Sequence, residues 1–184
     1  MKHELLVAGF GGQGVLSMGM TLAYAGMVEG KEISWMPSYG PEMRGGTANC
    51  IVIVSDKKVS SPILTMFDTV IALNQPSLDK FEHSVKPGGL LIYESTNIIT
   101  LPTRTDIQIL PVAAALEAAK LKNPRTMNMV VLGAFLERTC VVEIGGVMEA
   151  LKKVLPERYH HLLPLNETAL RRGMSLAGDG VMAK

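Results

Sequence analysis

Cysteine is scarce in this sequence: Cys50 and Cys140 are the only two in 184 residues. Two thiols cannot build a disulfide framework or supply the four ligands of an iron–sulfur cluster, and both are expected to be reduced, inert thiols. Aromatic residues are also few, at 5%, with one tryptophan. Charge of one sign is missing as well, because the formal net charge is +1. That balance gives no electrostatic case for nucleic acid or for an anionic membrane. No apolar run reaches the roughly 18 residues of a membrane span. The N-terminus lacks the charged-then-apolar pattern of a secretion signal, so a cytoplasmic protein is expected. The four histidines, His3, His83, His160 and His161, lack metal-ligand spacing, and no catalytic Ser–His–acid set can be assembled.

What is present is aliphatic: 47% of the residues are apolar and twelve are methionine. This suits a single domain over residues 1–184 with an aliphatic core in which methionine fills the gaps. Methionines at helical spacing (Met18, Met127, Met129, Met148) belong to that core and need no cofactor.

The most informative stretch is Leu5 to Gly14, LLVAGFGGQG. An apolar strand runs into Gly9, Gly11, Gly12 and Gly14, and an amphipathic helix follows over residues 15–29, stopped by Gly30. Strand, glycine turn and helix start bring backbone N–H groups and a helix's positive end toward a phosphate or carboxylate. Gly19, Ala23 and Gly26 leave room on that helix for close approach to a neighbour. A second strand is expected over residues 31–36, ended by Pro37, and a polar loop, Pro37 to Gly46, follows it.

Further strands are expected at 47–54, 59–64, 68–74, 90–94 and 106–110, the 59–64 segment at a sheet edge because of Pro62. Pro76 opens a short helix, and Lys86-Pro87-Gly88-Gly89 has the composition of a type II turn. Helices are expected at 112–121, 129–138 and 144–155, with a last one capped by Asn166 and ending near Ala177. The predicted fold is a three-layer, Rossmann-like α/β domain with a helical C-terminal third. Hairpin-like spacing around Ser55 to Ser61 predicts a mixed, mostly parallel sheet.

Gly9-x-Gly11-x-x-Gly14 satisfies the dinucleotide fingerprint, but an acid at the end of the second strand is missing; Glu29 and Glu32 fall too early. Val15 and Leu16 stand where a nucleoside-triphosphate loop needs Lys and Ser or Thr. A methyltransferase reading of the Lys86–Gly89 stretch lacks an acidic strand tip. The glycines could also serve only helix–sheet packing. In the second loop, Arg44 offers a planar donor fork, with Glu42 placed to orient it or merely to pair with it.

GFGGQGV together with SYGPEMRGG resembles the gamma subunit of 2-oxoacid:ferredoxin oxidoreductases. Asn74-Gln75-Pro76, Lys86 to Gly89, the NMVVLG run from Asn128, and Asn166, Ala169 and Gly173 extend the resemblance over the whole chain. It implies a part in a multi-subunit enzyme of anaerobic metabolism. Such enzymes oxidatively decarboxylate a 2-oxoacid, 2-oxoglutarate and branched-chain acids both being open. The acyl group passes to coenzyme A and electrons pass to ferredoxin. Thiamine diphosphate, magnesium and 4Fe-4S clusters are implied on alpha, beta and ferredoxin-like partner subunits, and none on this chain. Gly9, Gly11, Gly12, Gln13, Gly14, Glu42, Arg44, Gly45 and Gly46 are then expected to face a shared cleft that coenzyme A enters, or to orient a partner's loop. Two alternatives remain: a self-standing NAD(P)-binding oxidoreductase using the glycine turn, and an assembly module without a ligand.

Overall fold

The computed structural model describes residues 1–39, 47–59 and 63–178. One six-stranded sheet organises them, in the order β2-β3-β1-β4-β5-β6. The strands are β1 (Lys2–Phe10), β2 (Glu32–Tyr39), β3 (Thr47–Ser55), β4 (Phe67–Ala72), β5 (Val85–Glu94) and β6 (Gln108–Val112). The helices are α1 (Val15–Val28), α2 (Gln75–Phe81), α3 (Ala114–Lys120), α4 (Met127–Thr139), α5 (Ile144–Val154) and α6 (Leu163–Gly178). β1, β4, β5 and β6 are parallel, and β3 runs antiparallel to both its neighbours. The sheet is thus mixed and mostly parallel, as predicted. The hairpin behind it is β2–β3, across residues 40–46, and not the Ser55–Ser61 stretch.

The strand period of two sorts side chains to two cores. Leu5, Val7, Cys50, Val52, Ile71 and Ile92 meet Met18 and Leu22 of α1, Val131 and Phe135 of α4, Val147 of α5 and Leu170 of α6. The opposite face carries Leu6, Val70, Ala72, Leu91 and Tyr93, covered by Leu78 of α2 and by Ile98. Three layers result, one of them thick with helices and the other thin. Buried carboxylates tie down the segments that leave the sheet. Glu82 accepts from the Thr103 and Arg104 amides at 2.6 and 2.8 Å. Glu94, fully buried, accepts from the amides of Thr96, Asn97 and Ala115 at 3.2, 3.1 and 3.1 Å.

Helix α1 lies close on the sheet, because its glycines admit neighbours. A Cβ on Gly19 would strike the Cys50 sulfur, and one on Gly26 would strike Ile33. Its end is a Schellman motif: the Gly30 amide donates to Met27 O and the Lys31 amide to Gly26 O, with Gly30 at φ 73°.

Four local expectations need correction. Pro37 does not end its strand; β2 continues to Tyr39, because an edge strand tolerates a residue without an N–H. Lys86-Pro87-Gly88-Gly89 does not form a separating turn. It bulges within β5, where the pairing jumps from Phe67↔Val85 to Thr69↔Leu90 and Gly88 takes φ 75°. Val59, Ile63 and Leu64 are not in a strand, and residues 60–62 lie outside the described residues. Asn166 is not a cap, since α6 already starts at Leu163, after a 3-10 turn over Glu157–Leu162.

Candidate functional site

β1 lies between β3, which follows it through α1 and β2, and β4, which opens the other half of the sheet. The chain reverses its direction of growth there, and the carboxyl ends of strands at such a reversal are where α/β sheets receive ligands. The turn from Gly9 to Gly14 leaves the carboxyl end of β1 and leads into α1. Gly12 and Gly14 adopt φ 95° and 80°, which L side chains resist. A Cβ on Gly14 would also come within 2.8 Å of Asn128 Cγ, so both the backbone conformation and the space demand glycine.

Gln13 locks this turn to β4. Its Oε1 accepts from the Phe10 amide at 2.7 Å and from Asn74 Nδ2 at 3.0 Å, and its Nε2 donates to Leu73 O at 3.0 Å. Asn74 in turn caps α2, its Oδ1 accepting from the Ser77 amide at 2.9 Å. The Gln13 side chain therefore faces inward, and what the turn offers outward is backbone. Gly11 and Gly12 are exposed, and the amides of Gly11, Gly12 and Gly14 find no acceptor among the described residues. They precede the first turn of α1, whose own amides are free by helix geometry.

Glu42, Arg44, Gly45 and Gly46 lie outside the described residues. The ends of their loop do not. Tyr39 pairs with Ala48, and Thr47 pairs with Phe10, so the loop leaves the sheet at the same edge as the glycine turn. Neither acid considered for a dinucleotide ribose is at that edge. Glu29 accepts from the Glu143 amide at 2.6 Å and pairs with Lys31 at 3.2 Å, beyond the far end of α1. Glu32 lies level with Ser55 and Lys2, at the other end of the sheet.

Beside the turn opens a cavity of about 790 Å³. Asn128, whose Nδ2 donates to Gly14 O at 3.4 Å, joins it to the turn, and Ser17, Lys122, Arg125, Tyr159, His161 and Asn166 are among its other lining residues. Sequence spacing gives no signal for this group, whose members come from three separate segments. His160 and His161 have different surroundings: His160 Nε2 lies 2.9 Å from Leu155 O, while His161 lines the cavity. Cys50 is buried, and burial pushes its thiol up to about 12; Cys140 is exposed at the end of α4. Among the described residues no helix is long and apolar enough to cross a membrane, and no three metal-ligating side chains cluster.

A Rossmann-like α/β domain with a rigid glycine turn at its switch point is the class these features define. Residues 4–176 match the pyruvate ferredoxin/flavodoxin oxidoreductase family, and the chain belongs to it. It is 46% identical over 130 residues to the ketoisovalerate oxidoreductase subunit VorA of Methanothermobacter thermautotrophicus, covering 71% of this chain and 27% of that one. The chain thus spans about a quarter of that relative's length. The keto/oxoacid ferredoxin oxidoreductase gamma subunit of Geobacter sulfurreducens superposes with a TM-score of 0.83 and 30% identity, over 96% of this chain and 97% of that one. The 2-oxoglutarate:ferredoxin oxidoreductase of Magnetococcus marinus, solved with 2-oxoglutarate, coenzyme A and succinyl-CoA bound, gives a TM-score of 0.89 at 26% identity, over all of this chain and 32% of that one.

Proposed function

We propose that this chain is the gamma-type component of a 2-oxoacid:ferredoxin oxidoreductase, and that its glycine turn forms one wall of the cleft that receives coenzyme A. The carrying observation is the turn fixed by the Gln13 side chain, with Gly11, Gly12 and Gly14 amides that find no acceptor among the described residues. Fixed N–H donors at a helix start suit an anionic ligand and need no reorganisation when it arrives. Arg44 would reach the same edge from the neighbouring loop and add a charge-assisted contact.

The reaction would join this chain to alpha, beta and ferredoxin-like subunits, with ferredoxin as acceptor. Thiamine diphosphate supplies carbanion chemistry at the 2-oxoacid when bound, and iron–sulfur clusters carry its electrons. This chain's two cysteines do not fit a cluster. Cys50 sits in the core within 3.6 Å of the Val15 carbonyl, and Cys140 is solvent-facing, so they are no cluster ligand set. Its contribution is to bind and orient the acyl acceptor. The relatives' names favour 2-oxoglutarate or a branched-chain 2-oxoacid as substrate.

The test is native co-purification, followed by coenzyme A-dependent reduction of a low-potential dye with each 2-oxoacid. Co-purification with thiamine- and cluster-bearing subunits and an active mixture are expected, and Arg44→Ala should raise the KM for coenzyme A without loss of assembly. A chain that purifies alone and binds NAD or NADP would overturn the reading.

A further inference from the structure

Helix α1 is free of charge along its whole length. Over Val15–Val28 it carries no charged residue, whereas each of the five other described helices carries at least two. A helix that is apolar all round belongs in an interior. This one is buried on one side only, where it packs on β1, β2 and β3 and against α4 and α5. At about 100° per residue, Leu16, Ser17, Met20, Tyr24, Met27 and Val28 share the opposite arc. Tyr24, Met27 and Val28 are 38%, 59% and 42% exposed, and Leu16, Ser17 and Met20 are half-buried.

The neighbouring strand has the same character. β2 ends the sheet on this side, and it runs uncharged from Ile33 to Tyr39. Ile33 and Trp35 lie against Gly26 and Gly19 of α1, so by strand alternation Glu32 falls on the other face of the sheet. Pro37 has no N–H to offer an added strand, which leaves contact on this side to side chains. The charges just beyond α1 are already engaged. Glu29 pairs with Lys31 and accepts from the Glu143 amide, and Lys31 donates to the Val141 carbonyl.

We propose that the outer face of α1, flanked by β2, docks a second copy of this chain. A contact between two identical chains about a two-fold axis is isologous, so a charged patch would meet its own sign. A face without charge escapes that repulsion. A face shaped for a different protein gains from complementary charge and has no reason to avoid it. Two α1 helices crossing antiparallel near Tyr24 would set Met20 against the partner's Met27, with their dipoles opposed in direction and flexible methionines filling the gaps. The 14-residue helix is about 21 Å long, and the adjoining edge of β2 widens the face to about 20–25 Å. Two such faces bury on the order of 1,000 Å² in all, the lower end for a specific interface, so the dimer is reversible with a dissociation constant of about 1–100 μM. It goes beyond the coenzyme A reading and does not depend on it.

Sedimentation velocity of the whole chain, run from about 1 to 300 μM, tests this. A monomer–dimer equilibrium within that range is expected. Tyr24→Glu and Met27→Glu, both at exposed positions, should each weaken the dimer by about tenfold or more, because each sets two like charges against one another. Their melting temperatures as dilute monomers should match the parent's, which separates lost docking from lost folding. Leu116→Glu, exposed on α3, should leave the dimer as it is. A parent that stays monomeric at the highest concentration overturns the proposal, and so does a dimer that neither α1 variant weakens. A monomeric parent whose Met27→Glu variant loses co-purifying subunits overturns it too, and gives the face to one of those subunits. Coenzyme A-dependent activity of the assembled mixture decides the proposed function separately, whatever the sedimentation result.

Discussion

The crossing of α4 and α6 gives the sharpest test of how the helical layer is built. At Gly133 an added Cβ would lie 2.7 Å from the Leu170 carbonyl carbon and 2.9 Å from its Cα. At Gly173 it would lie 2.8 Å from the Val130 carbonyl carbon and 2.9 Å from the Ala134 nitrogen. The carbonyl oxygens are closer still, so the helices would have to part by about 1 Å to restore the 3.0 Å that real Cβ atoms keep. Alanine gains about 1 kcal/mol over glycine in helix propensity. Overpacking costs about 1–3 kcal/mol or more, and here the obstacle is backbone, which cannot rotate aside. The clash wins. Gly173→Ala is expected to lower stability by about 2 kcal/mol, a fall of about 4–8 °C in melting temperature for a chain of this size. Gly145→Ala is the control: it is exposed on α5, with nothing within 4 Å of its added Cβ, so propensity alone should act and stability should rise. Urea unfolding of the three proteins measures both. Equal stabilities for Gly173→Ala and the parent, or a loss at Gly145 matching that at Gly173, would refute the close crossing.

Gln13→Ala strands the Phe10 amide, Leu73 O and Asn74 Nδ2, and should cost about 1–3 kcal/mol in urea unfolding, with faster amide exchange at Phe10. His3, packed edge-on against Phe135 and within 3.0 Å of Thr69 Oγ1, has its pKa lowered chiefly by burial, with Lys86 acting in the same direction and Asp68 and Glu4 opposing. The unfolded chain then binds the His3 proton first, so stability is full above about pH 6.5 and falls as pH drops below it. His3→Gln should flatten the parent's stability profile between about pH 7 and 5; an identical slope would contradict the burial argument. A thiol reagent at about pH 8 should titrate Cys140 alone in the native protein and both cysteines in denaturant.

Much of the site was legible in sequence where it is local. Strand, glycine turn and helix follow one another within fourteen residues, and each glycine's spacing states its duty. Gln13 was visible as a member of the turn, but its inward lock was not, because Leu73 and Asn74 are 60 and 61 residues away. Two of the misread stretches share one cause: a proline or glycine that punctuates chain locally was absorbed by tertiary context, Pro37 by a sheet edge and Gly88 by a bulge. The cavity had no sequence signature at all, since Ser17, Arg125 and His161 meet only when α1, α4 and α6 bring their first turns together.

The place of β1 in the sheet also has a meaning in time. Its partners are residues 47–55 and 69–72, so the most apolar strand of the N-terminus is made long before either neighbour exists. At about 5–20 residues per second, a ribosome leaves it uncovered for roughly 3–12 seconds before β4 is complete. A nascent chain with Leu5, Leu6 and Val7 in the open for that long is a natural client for a chaperone that grips short apolar segments. The strand that anchors the glycine turn is thus the one most in need of protection during synthesis.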